Sequence, residues 1–217
     1  MVLILAYRRF SVLNNRNKEL LQKLFALTLL IFNIYRYISQ WVVSGIIRPP
    51  VEFSALAYFF VPLILLFKVK GLYVWAAYSG LLAGGGYFLS VIAFGKWAYV
   101  HYTNERIAAA YFCHGILLLL SLFITEQSRF CEKSCWLLVT ALSLVGLRTL
   151  MLYGLFNGGR GIFIYELLFA YLPLRLFGAW ILPIYYIALF VLLILSFKLF
   201  FKLNFRLNKK RSLGSCS

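Results

Sequence analysis

Long apolar runs separated by short polar and basic intervals organise this chain from end to end. Six of them reach or approach the roughly 20 residues that cross a bilayer, at about 24 to 46, 53 to 67, 71 to 95, 107 to 125, 136 to 156 and 176 to 200. Runs of this length predict membrane-spanning helices. The second run is short, and Arg36 and Arg148 interrupt the first and fifth, so these arginines face the bundle interior or snorkel to an interface.

Two further stretches complete the expected all-α, polytopic transmembrane bundle. In GLFNGGRGIFIYELLFAYLPLRLFG a glycine-rich turn precedes about a dozen apolar residues, which suits a re-entrant or interfacial helix near 160–172 better than a crossing. LLAGGGYF places Gly84, Gly85 and Gly86 inside the third run, where they permit close helix packing or a kink. No internal repeat divides the chain. The expected organisation is a basic cytoplasmic segment over 1–23, one transmembrane domain over 24–200 and a basic cytoplasmic tail over 201–217. MVLILAYRRF is too short for a span and lacks the cleavage site of a signal peptide.

Composition agrees with the pattern: 63% of the 217 residues are apolar, 13% are charged, and the mean hydropathy is +0.87. The formal charge of +16 raises a nucleic-acid partner, but the distribution of the charges excludes it. With six spans, 15 of the 22 Lys and Arg residues fall on one side, five on the other, and Arg36 and Arg148 within spans. The positive-inside rule then places both termini in the cytoplasm. The basic termini read as contacts for anionic lipid headgroups.

Candidate chemistry is sparse. Cys113 lies within a span, Cys216 at the extreme end, and Cys131 and Cys135 in a loop on the reducing side, so no disulfide framework is expected. There is no Asp, there are six Glu, and no nucleotide-binding loop, zinc-protease or hydrolase motif occurs. Neither a metal nor a cofactor is expected. The exception is His114 in AAAYFCHGILLLLSLFI, an ionisable group about eight residues into a span and so roughly 12 Å deep. Ser54 opens the second span on the same side, close to Arg48 and Glu52, while His101, Asn104 and Arg106 lead into the fourth. A serine and a histidine reachable from one leaflet form a candidate nucleophile and base. The plain alternatives are a helix cap or packing residue for Ser54, a carbonyl contact for His114, a loop position for His101, and an ion pair of Glu52 with Arg48 or Arg36.

RPPVEFSALAYFFVPLILL and YFCHGILLLLSLFI, followed by LVGLRTLMLYGLFNGG and GAWILPIYYIALFVLLILSF, resemble the bacterial YwaF-type membrane proteins over roughly residues 20 to 205. Related eukaryotic branches include the transmembrane acyltransferase that remodels ether phosphatidylethanolamine and, more distantly, the androgen-induced hydrolases of fatty acid esters of hydroxy fatty acids. Those branches pair a Cys or Thr nucleophile with a His. By this resemblance the family cysteine falls on Ser54, its histidine on His114, the polar residue before the cysteine on Glu52 and an acidic residue of the preceding helix on Asn33. The family also carries one more N-terminal helix, of which MVLILA would be the truncated end of a seventh span.

The resemblance implies acyl transfer or ester hydrolysis on a membrane phospholipid or lysophospholipid, through an acyl-enzyme on Ser54 with His114 as base. Asn33, Asn104 or backbone amides near Ser54 would serve as oxyanion donors, and Arg48 or Arg106 would hold the phosphate headgroup. The implied location is a cell membrane in a prokaryote or the endoplasmic reticulum in a eukaryote. A second class also fits the residues: a non-catalytic substrate-binding or transport component with Arg36, Arg148 and Glu52 lining a polar cavity.

Overall fold

The computed structural model describes residues 12–45, 53–95, 103–130 and 181–214, all in helices and their caps and turns. The expected fifth span, the re-entrant helix near 160–172, MVLILA and the cysteines other than Cys113 lie outside the described residues. Among the described residues two helices are long and apolar enough to cross a membrane, Lys70–Phe94 and Asn104–Gln127.

Helix α1 (Asn15–Ser44) starts earlier than its apolar run, because Asn14 caps it: the Asn14 side chain accepts the Asn17 N–H at 2.8 Å. Thus the second half of the expected basic segment 1–23 is helical. The helix ends at Gly45, whose φ of +66° suits a residue without Cβ and whose N–H closes on Trp41. Its buried residues are Lys18, Gln22, Ala26, Leu29 and Asn33, a stripe at steps of three and four. Leu20, Leu24, Leu27, Ile31, Ile34 and Ile38 are exposed instead. Three polar residues thus sit inside with Ala26 and Leu29 while these apolar residues face outward, an arrangement that suits a lipid surround.

Helix α2 (Phe53–Leu66) has 14 residues with Pro62 buried inside it. The chain turns back at Lys68, φ +53°, and a 3₁₀ turn at Lys70–Leu72 enters helix α3 (Tyr73–Gly80). A five-residue π turn, Leu81–Gly85, joins α3 to α4 (Gly86–Phe94) in one continuous rod. Helix α5 (Asn104–Gln127) is the centre of this part of the molecule, buried at twelve positions between Cys113 and Glu126. Both α1 and the α3–π rod pack against it.

Of the three glycines expected to allow close packing, Gly84 does so, together with Gly80 one turn earlier. A Cβ on Gly84 would stand 2.8 Å from the His114 carbonyl oxygen and 2.9 Å from both Cβ and N of Leu118. A Cβ on Gly80 would overlap the Ser121 hydroxyl and approach the Leu117 carbonyl. Gly80 and Gly84 therefore form a small-xxx-small contact that lets two backbones touch, the packing mode favoured where apolar burial supplies no driving force. Gly86 faces open space. The outer contact of α5 is Phe123 stacked on Phe25 of α1, with Leu21 and Leu119 alongside.

Ion pairs bring the start of α1, the turn after α2 and the end of α5 to one end of this unit. Lys18 meets Glu126 at 3.6 Å, and Glu19 meets Lys68 at 2.6 Å and Lys23 at 3.3 Å. The hydrogen bonds from Lys68 and then Lys23 hold the exposed Glu19 carboxyl below the usual carboxylate range, and Glu19 in turn raises Lys68. A lowered carboxylate pKa stabilises the fold above the unfolded-state value and loses that contribution as pH falls through the folded one. Carbon-13 titration should give Glu19 a midpoint below that of an isolated glutamate, and Lys68→Ala should move it upward; an unchanged midpoint in that variant would remove Lys68 as the cause.

The described residues fall in two compact units, and helix α6 (Ile181–Gly214) belongs to the second with Phe130. The Phe130 N–H donates to Asn204 Oδ1 at 3.2 Å, and its ring lies 5.8 Å from that of Phe200. Much of the expected tail beyond residue 201 continues this helix, its lysines and arginines being good helix formers.

Candidate intramembrane polar site

Two turns of α5 carry the polar interior. Cys113 and His114 are buried where α1, α2 and the π turn meet α5. On the α1 side Asn33, fully buried, donates its amide to the Leu29 carbonyl at 2.8 Å and to Cys113 Sγ at 3.6 Å. Arg36 is half-buried one turn further along α1.

On the other side His114, 8% exposed, is held by two tyrosines. Tyr58 of α2 shares a 2.7 Å hydrogen bond with Nε2, the donor being set by the tautomer of the ring. Tyr87 of α4 stacks on the imidazole with centroids 4.0 Å apart and planes 8° apart. Tyr111 lies edge-on to Tyr87 at 5.6 Å. The π turn is what makes this possible: its extra residue rotates α4 by about 100° relative to a regular helix, and the Gly84 contact brings that rod against the His114 backbone. Nδ1 has no hydrogen-bond partner among the described residues.

Of the residues expected from sequence, Ser54 lies half-buried in the first turn of α2, one turn before Tyr58. Among the described residues its hydroxyl makes no hydrogen bond with the imidazole; the Nε2 partner is Tyr58. Asn33 is brought to the site through Cys113, with its amide already engaged. Asn104 and Arg106 are exposed in the first turn of α5. Arg48, Glu52 and His101 lie outside the described residues. Tyr58 and Tyr87 escape sequence reasoning because the chain has 15 tyrosines and none is marked out by motif. The spacing of four from Ser54 to Tyr58 is a signal that could have found Tyr58.

The site offers a buried proton acceptor, a phenol bonded to it, a thiol bonded to an amide, and one guanidinium at the margin. That set can move a proton and orient a polar group within an apolar surround. No family model, curated protein or solved structure matches the chain.

Proposed function

We propose that this protein is a six-span membrane protein, with both termini in the cytoplasm, that transfers or hydrolyses a lipid acyl ester. The observation that carries the reading is His114, a buried imidazole whose Nε2 is bonded to Tyr58. A bilayer interior retains such a group at a cost, which is the reason to assign it work. Ser54 is the nucleophile, the acyl group of a membrane phospholipid passes to its hydroxyl, and water or a lysophospholipid takes it off. Anionic headgroups bind the basic ends of the chain.

Turnover of a fluorescent phospholipid by the purified protein in vesicles tests this directly. Ser54→Ala and His114→Ala should each lower it by about 10²-fold or more, and intact-mass measurement should find an acyl adduct on Ser54. Undiminished turnover in Ser54→Ala would remove the serine from the chemistry. A second reading, non-catalytic binding or transport of a polar solute, is favoured by the engagement of Nε2 with Tyr58 of α2 and of Cys113 with Asn33 of α1. Solute binding that survives both substitutions would support it.

A further inference from the structure

We infer that Tyr87 is the positioning residue of His114, the ring that fixes the imidazole plane while it acts as base, an inference that rests on the acyl-transfer reading above. The two rings are stacked, with centroids 4.0 Å apart and planes 8° apart. The last side-chain torsion of a histidine is broad and has no narrow well of its own. Neighbours must therefore set the ring plane. The 2.7 Å bond between Nε2 and the Tyr58 hydroxyl fixes where one nitrogen points. A hydroxyl can follow a ring that rocks, and the Tyr58 ring meets the imidazole with planes 69° apart. The parallel face of Tyr87 is the contact that opposes rocking.

Tyr87 is itself held in place from both helices. Three residues before it, a Cβ on Gly84 would stand 2.8 Å from the His114 carbonyl oxygen, so one stretch of chain meets first the backbone and then the ring of His114. The π turn at Leu81–Gly85 supplies the register. Without its extra residue α4 would be turned by about 100°, which would carry Tyr87 off the imidazole. Tyr111, one turn before His114 on α5, meets the Tyr87 ring edge-on at 5.6 Å. Tyr87 thus rests on two successive turns of α5.

A catalytic group is effective when it is held to within about 10–20° of its productive orientation. The Tyr87 face also meets the positive charge that the ring acquires on taking a proton, an attraction that an aliphatic side chain does not offer. Both effects act through His114, on the chemical step and not on the binding of lipid. Loss of the face should therefore appear in kcat and leave KM in place.

Tyr87→Leu should lower kcat for the fluorescent phospholipid by about 10- to 10²-fold, with KM within about twofold. Tyr87→Phe keeps the face and should hold kcat within about twofold of the unsubstituted protein. Phe88→Leu is the control: the Phe88 ring touches those of Tyr87 and Tyr111 and, among the described residues, not the imidazole, so kcat should be unchanged. The chain holds two histidines, and His114→Ala assigns the ring protons of His114 in a histidine-labelled sample. Those protons should lie upfield under the ring current of Tyr87, stay there in Tyr87→Phe and move downfield in Tyr87→Leu. Absence of the upfield displacement in the unsubstituted protein would overturn the inference, whatever the folding of the variants. Full kcat in Tyr87→Leu, with Ser54→Ala and His114→Ala inactive, would overturn the positioning role and leave the acyl-transfer reading standing. Equal losses in Tyr87→Leu and Phe88→Leu, or no recovery in Tyr87→Phe, would show that the aromatic cluster merely supports the fold, which also overturns it. Turnover that persists in His114→Ala would overturn both.

Discussion

Gly84→Ala should destabilise the protein by about 1 to 3 kcal/mol, the range for forcing a methyl group into a filled contact. The added Cβ would meet the His114 carbonyl at 2.8 Å and the Leu118 backbone nitrogen at 2.9 Å, and neither is the movable end of a side chain. Two helices must separate by several tenths of an ångström to admit it. Because the contact is with His114 itself, the separation should also loosen the Tyr87 stack and lengthen the 2.7 Å bond to Tyr58. Gly86→Ala supplies the control. Nothing stands within 4 Å of a Cβ there and the residue is helical, so alanine should stabilise by about 0.5 to 1 kcal/mol through backbone entropy alone. Reversible unfolding in mixed detergent micelles would measure both. Equal effects at the two positions would mean that the α3–π rod does not rest on α5 through Gly84.

The same glycines show how far the sequence is legible and where it stops. The apolar runs announced α1, the Lys70–Phe94 rod and α5 as helices, and among the described residues the rod and α5 are long and apolar enough to cross a membrane. The run at 53 to 67 reappears as α2 to within a residue. The start of α1 at Asn15 was not announced, since a capping Asn14 and ion pairs to distant helices extend it into polar sequence. Three consecutive glycines suggested packing or a kink; that Gly84 makes the contact, Gly86 none, and Gly84 and Gly85 end a π turn depends on what α5 presents opposite them. His114 stood out because an ionisable residue in an apolar run is rare. Its partners did not, because the 2.7 Å bond to Tyr58 is fixed by the register of α2 against α5, which residues 56 positions apart do not encode locally.

Lys18→Met should cost about 3 kcal/mol, the lower end of the range for removing one partner of a buried ion pair. The Lys18 and Glu126 side chains are 9% and 10% exposed, and at 3.6 Å the pair is loose. Each charge stands at the unfavourable end of its own helix. Lys18 is in the first turn of α1, where the helix dipole presents partial positive charge, and Glu126 is in the last turn of α5, where it presents partial negative charge. Neither charge is therefore stabilised by its own helix dipole, and each meets the other across the α1–α5 contact. Substituting both, Lys18→Met with Glu126→Leu, should recover most of the loss, since apolar residues of similar volume replace buried pairs with little net change. The double-mutant cycle separates the cases. A coupling of about 2 kcal/mol or more identifies the pair as the clamp between α1 and α5, whereas a value below about 0.5 kcal/mol, as for exposed pairs, would leave the Phe25–Phe123 stack to hold the two helices together.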